Sequence, residues 1–177
     1  MNHWNQQLDQ NTAQFVAHFE NLSAEELNWK PNPNTWSIAQ NIDHLIITNS
    51  TYFPVLAALK SGTYQTPFVG KFGFLTSLMG KMVLNASGAD RRKKIKTFPI
   101  WEPSQGELSG DIVAQFTKHQ EKLKQEIETS THLAASGIVI ASPANKNIAY
   151  KLSTAFDVIV VHEQRHLEQA KEVLELI

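Results

Sequence analysis

Cysteine is absent from this chain of 177 residues. That removes disulfides, thiolate ligands and a protein thiol nucleophile, and it leaves metal chemistry to histidine and carboxylate. An excess of either charge is also missing: 16 basic residues stand against 17 acidic ones, with a sequence pI near 6.7. No global field then favours nucleic acid or an anionic membrane, and a partner must be recognised locally. Long apolar runs are lacking, since stretches such as Val158 to Val161 and Ile138 to Ala141 fall far short of the roughly 18 residues that cross a bilayer. The first ten residues, MNHWNQQLDQ, offer neither a basic n-region nor an apolar h-region, so the expected location is the cytoplasm. The length suits one domain, 1–177.

What is present is helical periodicity. Leu8, Phe15, Val16, Phe19 and Leu22 recur at helical spacing through residues 4–22. After a Ser23 to Glu26 capping signal, the stretch Asn28 to Thr35 carries two prolines and three asparagines and reads as a turn. Ser37 and Gln40 form a capping box for a second helix that reaches about Leu59, with a kink expected at Pro54. From Ser61 to Gly110 the pattern weakens into a long crossover, in which only Phe72 to Asn85 reads as a short helix. Ile112, Phe116, Leu123 and Ile127 mark a third long helix over Asp111 to Thr131. GIVIAS, from Gly137, is expected as loop. The last 34 residues, from Ala144, contain no glycine or proline and read as a fourth helix. A long connection lets the second and third helices lie parallel, and the expected class is all-α.

His162 and His166 lie four residues apart, on one face of that last helix at roughly 6 Å, where two imidazoles can share an ion. A lone histidine reads as surface or hydrogen-bonded core; the i, i+4 pair shifts the balance toward a metal. His44 occupies a similar, fairly polar flank of the second helix, though spacing alone does not tie it to the pair. His162 to His166 also matches H-E-x-x-H, the zinc protease helix with glutamate as general base. Only 11 residues follow His166, however, and Glu168, Glu172 and Glu175 share its short helical end. Glu163 is turned roughly 100 degrees from His162 toward the apolar stripe. Both points weigh against a protease. Asn41 and Gln169 are candidates to orient the imidazoles.

The segments Trp29-Lys30-Pro31, Asn34-Thr35-Trp36-Ser37-Ile38-Ala39-Gln40 and Asn41-Ile42-Asp43-His44-Leu45 resemble the amino-terminal signature of DinB-like proteins, named for DNA-damage inducibility. The closing HEQRHLEQ resembles their second signature. The resemblance implies a four-helix bundle in up-down-down-up order, with a divalent metal held by His44, His162 and His166 and one coordination position left for water or substrate. It further implies transferases that use bacillithiol or mycothiol, or metal-dependent hydrolases. Three imidazoles leave the ion's charge intact, so either a thiol or a water could be activated there. The leading expectation is a transferase that activates a low-molecular-weight thiol for attack on a small electrophile; hydrolysis and a non-catalytic metal-binding bundle are the alternatives. Zinc and nickel lead among the ions, with iron and manganese behind.

The run Arg91 to Lys96 has five basic residues in six positions, which reads as a solvated loop or a grip on phosphates or carboxylates. Trp36, Phe98 and Trp101 are expected to close one end of the bundle, and no nucleic-acid partner is expected. The long first helix and aromatic-rich crossover leave apolar surface to cover, which makes a homodimer a further expectation.

Overall fold

The computed structural model describes residues 2–88 and 97–177, so the basic run Arg91 to Lys96 lies outside the described residues. The fold is mostly helical. Helix α1 spans His3–Phe19 and starts where the Asn2 side chain accepts the backbone N–H of Asn5 at 2.9 Å. A short α2, Ala24–Asn28, is opened by a Ser23/Glu26 capping box. Helix α3, Ile38–Ser50, is opened by the Ser37/Gln40 box that the sequence foretells. Reciprocal capping of this kind satisfies amide donors that a helix start leaves bare.

The second long element is not one kinked helix. It breaks at Thr51, and α4 continues over Tyr52–Lys60. Pro54 sits in the first turn of α4, and the break falls just after Ser50, whose carbonyl a proline at 54 crowds and cannot bond. The break is sealed locally: Thr51 donates both its backbone N–H and its hydroxyl to the Thr48 carbonyl. Helix α5, Gly73–Ser87, lies in the crossover and packs on α7 and the hairpin, while α6 spans Ile112–Ala135.

The GIVIAS stretch, expected as loop, supplies strand β1, Val139–Ser142, which pairs antiparallel with β2, Asn145–Lys151. Helix α7 accordingly begins at Leu152 rather than near Ala144 and runs to Leu174. The hairpin outcompetes helix here because β1 is rich in β-branched residues and offers a partner, and the chain turns at Pro143 and Ala144, where Ser142 Oγ accepts the Ala144 N–H at 3.3 Å.

The long helices bury two apolar clusters. One gathers Leu8, Leu56, Leu123, Ile127, Phe156 and Ile159; the other gathers Phe15, Phe19, Ile42, Phe116, Leu167 and Ala170. Between them lies a buried polar layer to which four helices each send a side chain: Asn11 from α1, Asn49 from α3, Gln120 from α6 and Glu163 from α7. Glu163 receives the other three, from Gln120 at 2.7 Å, Asn49 at 2.9 Å and Asn11 at 3.3 Å. A one-turn slip of any of these helices would strand buried polar groups, so this layer fixes their mutual register. Further pairs tie the helix ends, with Asn2 donating to Glu128 at 2.7 Å and Trp4 to Asp157 at 2.7 Å. Among the described residues no helix is long and apolar enough to cross a membrane.

Candidate metal centre

Register between α3 and α7 decides the site. It sets Asn41 against His166 and, one turn along, His44 against His162. The Nε2 atoms of His162 and His166 are 3.1 Å apart, and those of His162 and His44 are 3.3 Å apart. The candidate ligand atoms of all three lie within 4.8 Å of one another. Two nitrogens at about 2.0–2.1 Å from one ion and at a tetrahedral angle stand about 3.4 Å apart, so this spacing fits a shared divalent metal.

Hydrogen bonding fixes which nitrogen is free. His44 Nδ1 lies 2.5 Å from the Trp101 carbonyl, which can only accept. His166 Nδ1 lies 2.8 Å from Asn41 Oδ1, and the Asn41 amide is oriented because its Nδ2 donates to the Ser37 carbonyl at 2.9 Å. Both rings must therefore carry their proton on Nδ1, which leaves an Nε2 lone pair directed at the centre. Burial pushes the His44 pKa down to about 4, against weaker upward pulls from the Trp101 carbonyl and Asp43. His162 keeps some solvent exposure, yet burial, then His44 and Arg165, hold its pKa well below the usual histidine value. Neutral imidazole at neutral pH is the form that a metal requires.

Of the two expected orienting residues, Asn41 is engaged, though with His166 across the helix pair rather than with His44 on its own helix. Gln169 is half-buried, and the place at His166 Nδ1 belongs to Asn41. The residue that holds His44, Trp101, escapes sequence reasoning because it acts through its backbone carbonyl, which has no residue signature. Its indole Nε1 donates to Thr51 Oγ1 at 3.2 Å, and nearby Ser104 N donates to Asp43 at 2.7 Å, so the crossover is pinned to α3 and α4 around the site. Trp36 is also drawn in, with its ring centroid 4.9 Å from His44 and stacked 5.8 Å from His166.

Glu163 is fully buried and turned into the polar layer, away from the three Nε2 atoms. Burial pushes its pKa up to about 7, against the three amide donors that pull it down. It occupies the general-base position of H-E-x-x-H without facing the histidines. On the Trp36 side a cleft of about 330 Å³ opens, lined by Lys30, Asn34, Gln40, Glu102 and Gln105, large enough for a small polar molecule.

No curated protein and no solved structure matches the chain. A family model for the DinB superfamily matches residues 7–170. That span includes all three histidines, both orienting groups, the whole of α3 and α6 and most of α1 and α7, and so the chain belongs to the DinB superfamily.

Proposed function

We propose that this protein is a divalent-metal-dependent enzyme, one domain over 1–177, acting in the cytoplasm as a transferase that activates a low-molecular-weight thiol for attack on a small electrophile. The observation that carries the reading is the convergence of three imidazole nitrogens, with the rings of His44 and His166 each held through Nδ1 by an oxygen acceptor. His44, His162 and His166 would hold the ion. Such a centre, when loaded, supplies positive charge that lowers the pKa of a bound thiol or water. Because the three ligands are neutral, that charge is not offset, and thiolate formation near neutral pH needs no protein cysteine or carboxylate base.

The chain's own residues contribute orientation and exclusion. Asn41 and the Trp101 carbonyl fix the rings, and Trp36 shields two of them. The polar cleft at Lys30 and Gln40 is suited to the hydrophilic body of a thiol cosubstrate. An up-down-down-up order is supported by the end pairings: the start of α1 meets the end of α6, α1 and α7 pair in step through Trp4–Asp157 and Asn11–Glu163, and α3 opposes α7 through Asn41–His166 and His44–His162.

The test has two parts. Elemental analysis should find stoichiometric metal in the wild type and much less in His44→Ala; equal content would remove the three-histidine site. Zinc-, nickel- or manganese-loaded protein should then join a thiol to a reactive halide or epoxide. Hydrolysis of model esters without conjugation would replace the transferase reading with the hydrolase one, and neither activity would leave a metal-binding bundle.

A further inference from the structure

Charge cancels over the whole chain but not along the crossover. Residues 61–88 hold Lys71 and Lys81 and no carboxylate. The hairpin segment 137–151, against which α5 packs, holds Lys146 and Lys151 and again no carboxylate. All four lysines are exposed. These stretches are therefore purely positive, in a chain whose net charge is -1.

The same part of the crossover exposes large apolar side chains. Phe74 is 80% exposed and Phe68 71%, and Phe72, Leu75, Leu78 and Met82 are exposed with them. A surface helix is ordinarily turned so that such residues face the core. Here the inner face of α5 is held by Gly80 and Thr76. A Cβ added at Gly80 would stand 3.3 Å from both Tyr150 Cβ and Thr154 Cγ2, so only glycine lets the two helices approach this closely. Thr76 is buried, and its hydroxyl donates to the Gly73 carbonyl at 2.9 Å. Helical spacing then puts Phe74, Leu78, Lys81 and Met82 on the outer side. In the 3₁₀ turn just ahead, Phe68–Lys71, the Lys71 ammonium lies 5.7 Å from the centre of the Phe68 ring, which meets Phe72 edge-on at 5.6 Å.

An apolar stripe exposed in this way marks an interaction surface. The lysines decide its partner. Two copies meeting through this face would double the positive charge with nothing to offset it. An anionic lipid surface supplies both missing components, headgroup charge for the ammonium groups and acyl chains for the phenyl and leucyl side chains. Long lysine stems let the charges stay among headgroups while neighbouring apolar side chains sit deeper. Because no described helix is long and apolar enough to cross a membrane, the contact lies in the plane of the interface.

We propose that the outer face of α5, with the turn before it, docks on a membrane surface rich in anionic phospholipid. Phe68, Phe74, Leu78 and Met82 enter the acyl boundary, and Lys71 and Lys81 engage the headgroups. Docking needs no ion at the histidines. In lipid-free buffer a second copy is the next cover available to the same apolar residues, and the membrane displaces it.

The full chain is mixed with phosphatidylcholine vesicles, with and without phosphatidylserine, and the bound fraction is read by co-sedimentation at low and high salt. The wild type should bind the phosphatidylserine vesicles, less tightly as salt rises, and leave the neutral ones alone. Lys71→Gln combined with Lys81→Gln should weaken binding by about thirty-fold, or about five-fold for each lysine near an anionic surface. Phe74→Ser and Leu78→Ser, at positions that already face water, should each weaken it by roughly ten-fold with an unchanged circular dichroism spectrum. Lys118→Gln on α6 and Leu176→Ser near the C-terminus alter equally exposed residues and should bind as the wild type does. Binding that Phe74→Ser and Leu78→Ser leave unchanged comes from charge elsewhere and overturns docking through α5. Equal binding to neutral vesicles, or binding to neither, overturns it as well. So does a wild type that stays an unbound dimer beside phosphatidylserine vesicles, which assigns the face to a second copy.

Discussion

Replacing Asn41 by alanine tests a single hydrogen bond at the centre. Asn41 is 2% exposed, and its amide joins the Ser37 carbonyl at 2.9 Å to His166 Nδ1 at 2.8 Å. Alanine removes both bonds. The Ser37 carbonyl keeps the backbone N–H of residue 41 at 3.1 Å, so the helix start is retained. His166 is less fortunate: at 5% exposure its Nδ1–H finds little water, and a buried unpaired donor costs about 1–3 kcal/mol. The ring is also released to carry its proton on Nε2, the atom that should face the ion. Loss of such an orienting partner typically weakens metal binding by roughly 10–100-fold, or about 1.4–2.8 kcal/mol. The assay is competition for zinc against a chromophoric chelator, at a temperature where circular dichroism shows wild type and variant equally folded. Gln169→Ala serves as the control and should bind as the wild type does. Zinc affinity of Asn41→Ala within two-fold of wild type would refute the argument that this bond sets the ring.

Three further outcomes follow from the geometry. Glu163→Ala leaves the Asn49 and Gln120 amides without an acceptor, while Asn11 keeps the Val160 carbonyl at 3.2 Å, and should lower unfolding free energy by about 3 kcal/mol in urea, whereas Glu163→Gln keeps the oxygen that Asn49 and Gln120 share and should lose under about 1 kcal/mol; equal losses would contradict the polar-layer account. Burial, then Lys122, holds the half-buried His119 down to about 4 from 6.5. Its folded pKa lies below the unfolded one, so its contribution is complete above pH 6.5 and is lost as pH falls through 4. Discounted for partial exposure this is about 2 kcal/mol, and His119→Gln should flatten the urea midpoint over that window, a parallel profile being the contrary result. Finally, α5 turns Phe74, Leu78 and Met82 outward at 80%, 55% and 59% exposure, which gives the expected homodimer a surface. Sedimentation should show twice the 19.9 kDa chain mass for wild type and the single mass for Leu78→Glu; a monomeric wild type removes that expectation.

The sequence spoke clearly where a pattern repeats along one helix. The stripes through Leu8, Phe15 and Phe19 and through Phe116, Leu123 and Ile127 are all buried, and both capping boxes form. It spoke poorly where the deciding partner is distant or is backbone. Residues 145–151 contain no helix breaker, and only pairing with β1 makes them a strand. Pro54 suggested a kink, and the helix is interrupted at Thr51, within the turn that the proline ring crowds. At the site, the i, i+4 pair was legible from spacing, His44 came through resemblance, and Asn41 was found with the wrong imidazole because facing residues on two helices depend on register. The four-residue polar layer that sets this register was invisible, since each member alone looks like an ordinary polar side chain.

The triad can also be viewed as a clasp. His44 and His162 are 118 residues apart, and the Trp101 carbonyl adds the crossover to the same knot. In a chain without cysteine, an ion gripped there becomes the long-range tie that a disulfide supplies elsewhere. In the chain-entropy picture, a closed loop of about 100 residues restricts the unfolded chain by about 4–5 kcal/mol. A disulfide of that span would answer to a reductant; a metal tie there would answer to a chelator.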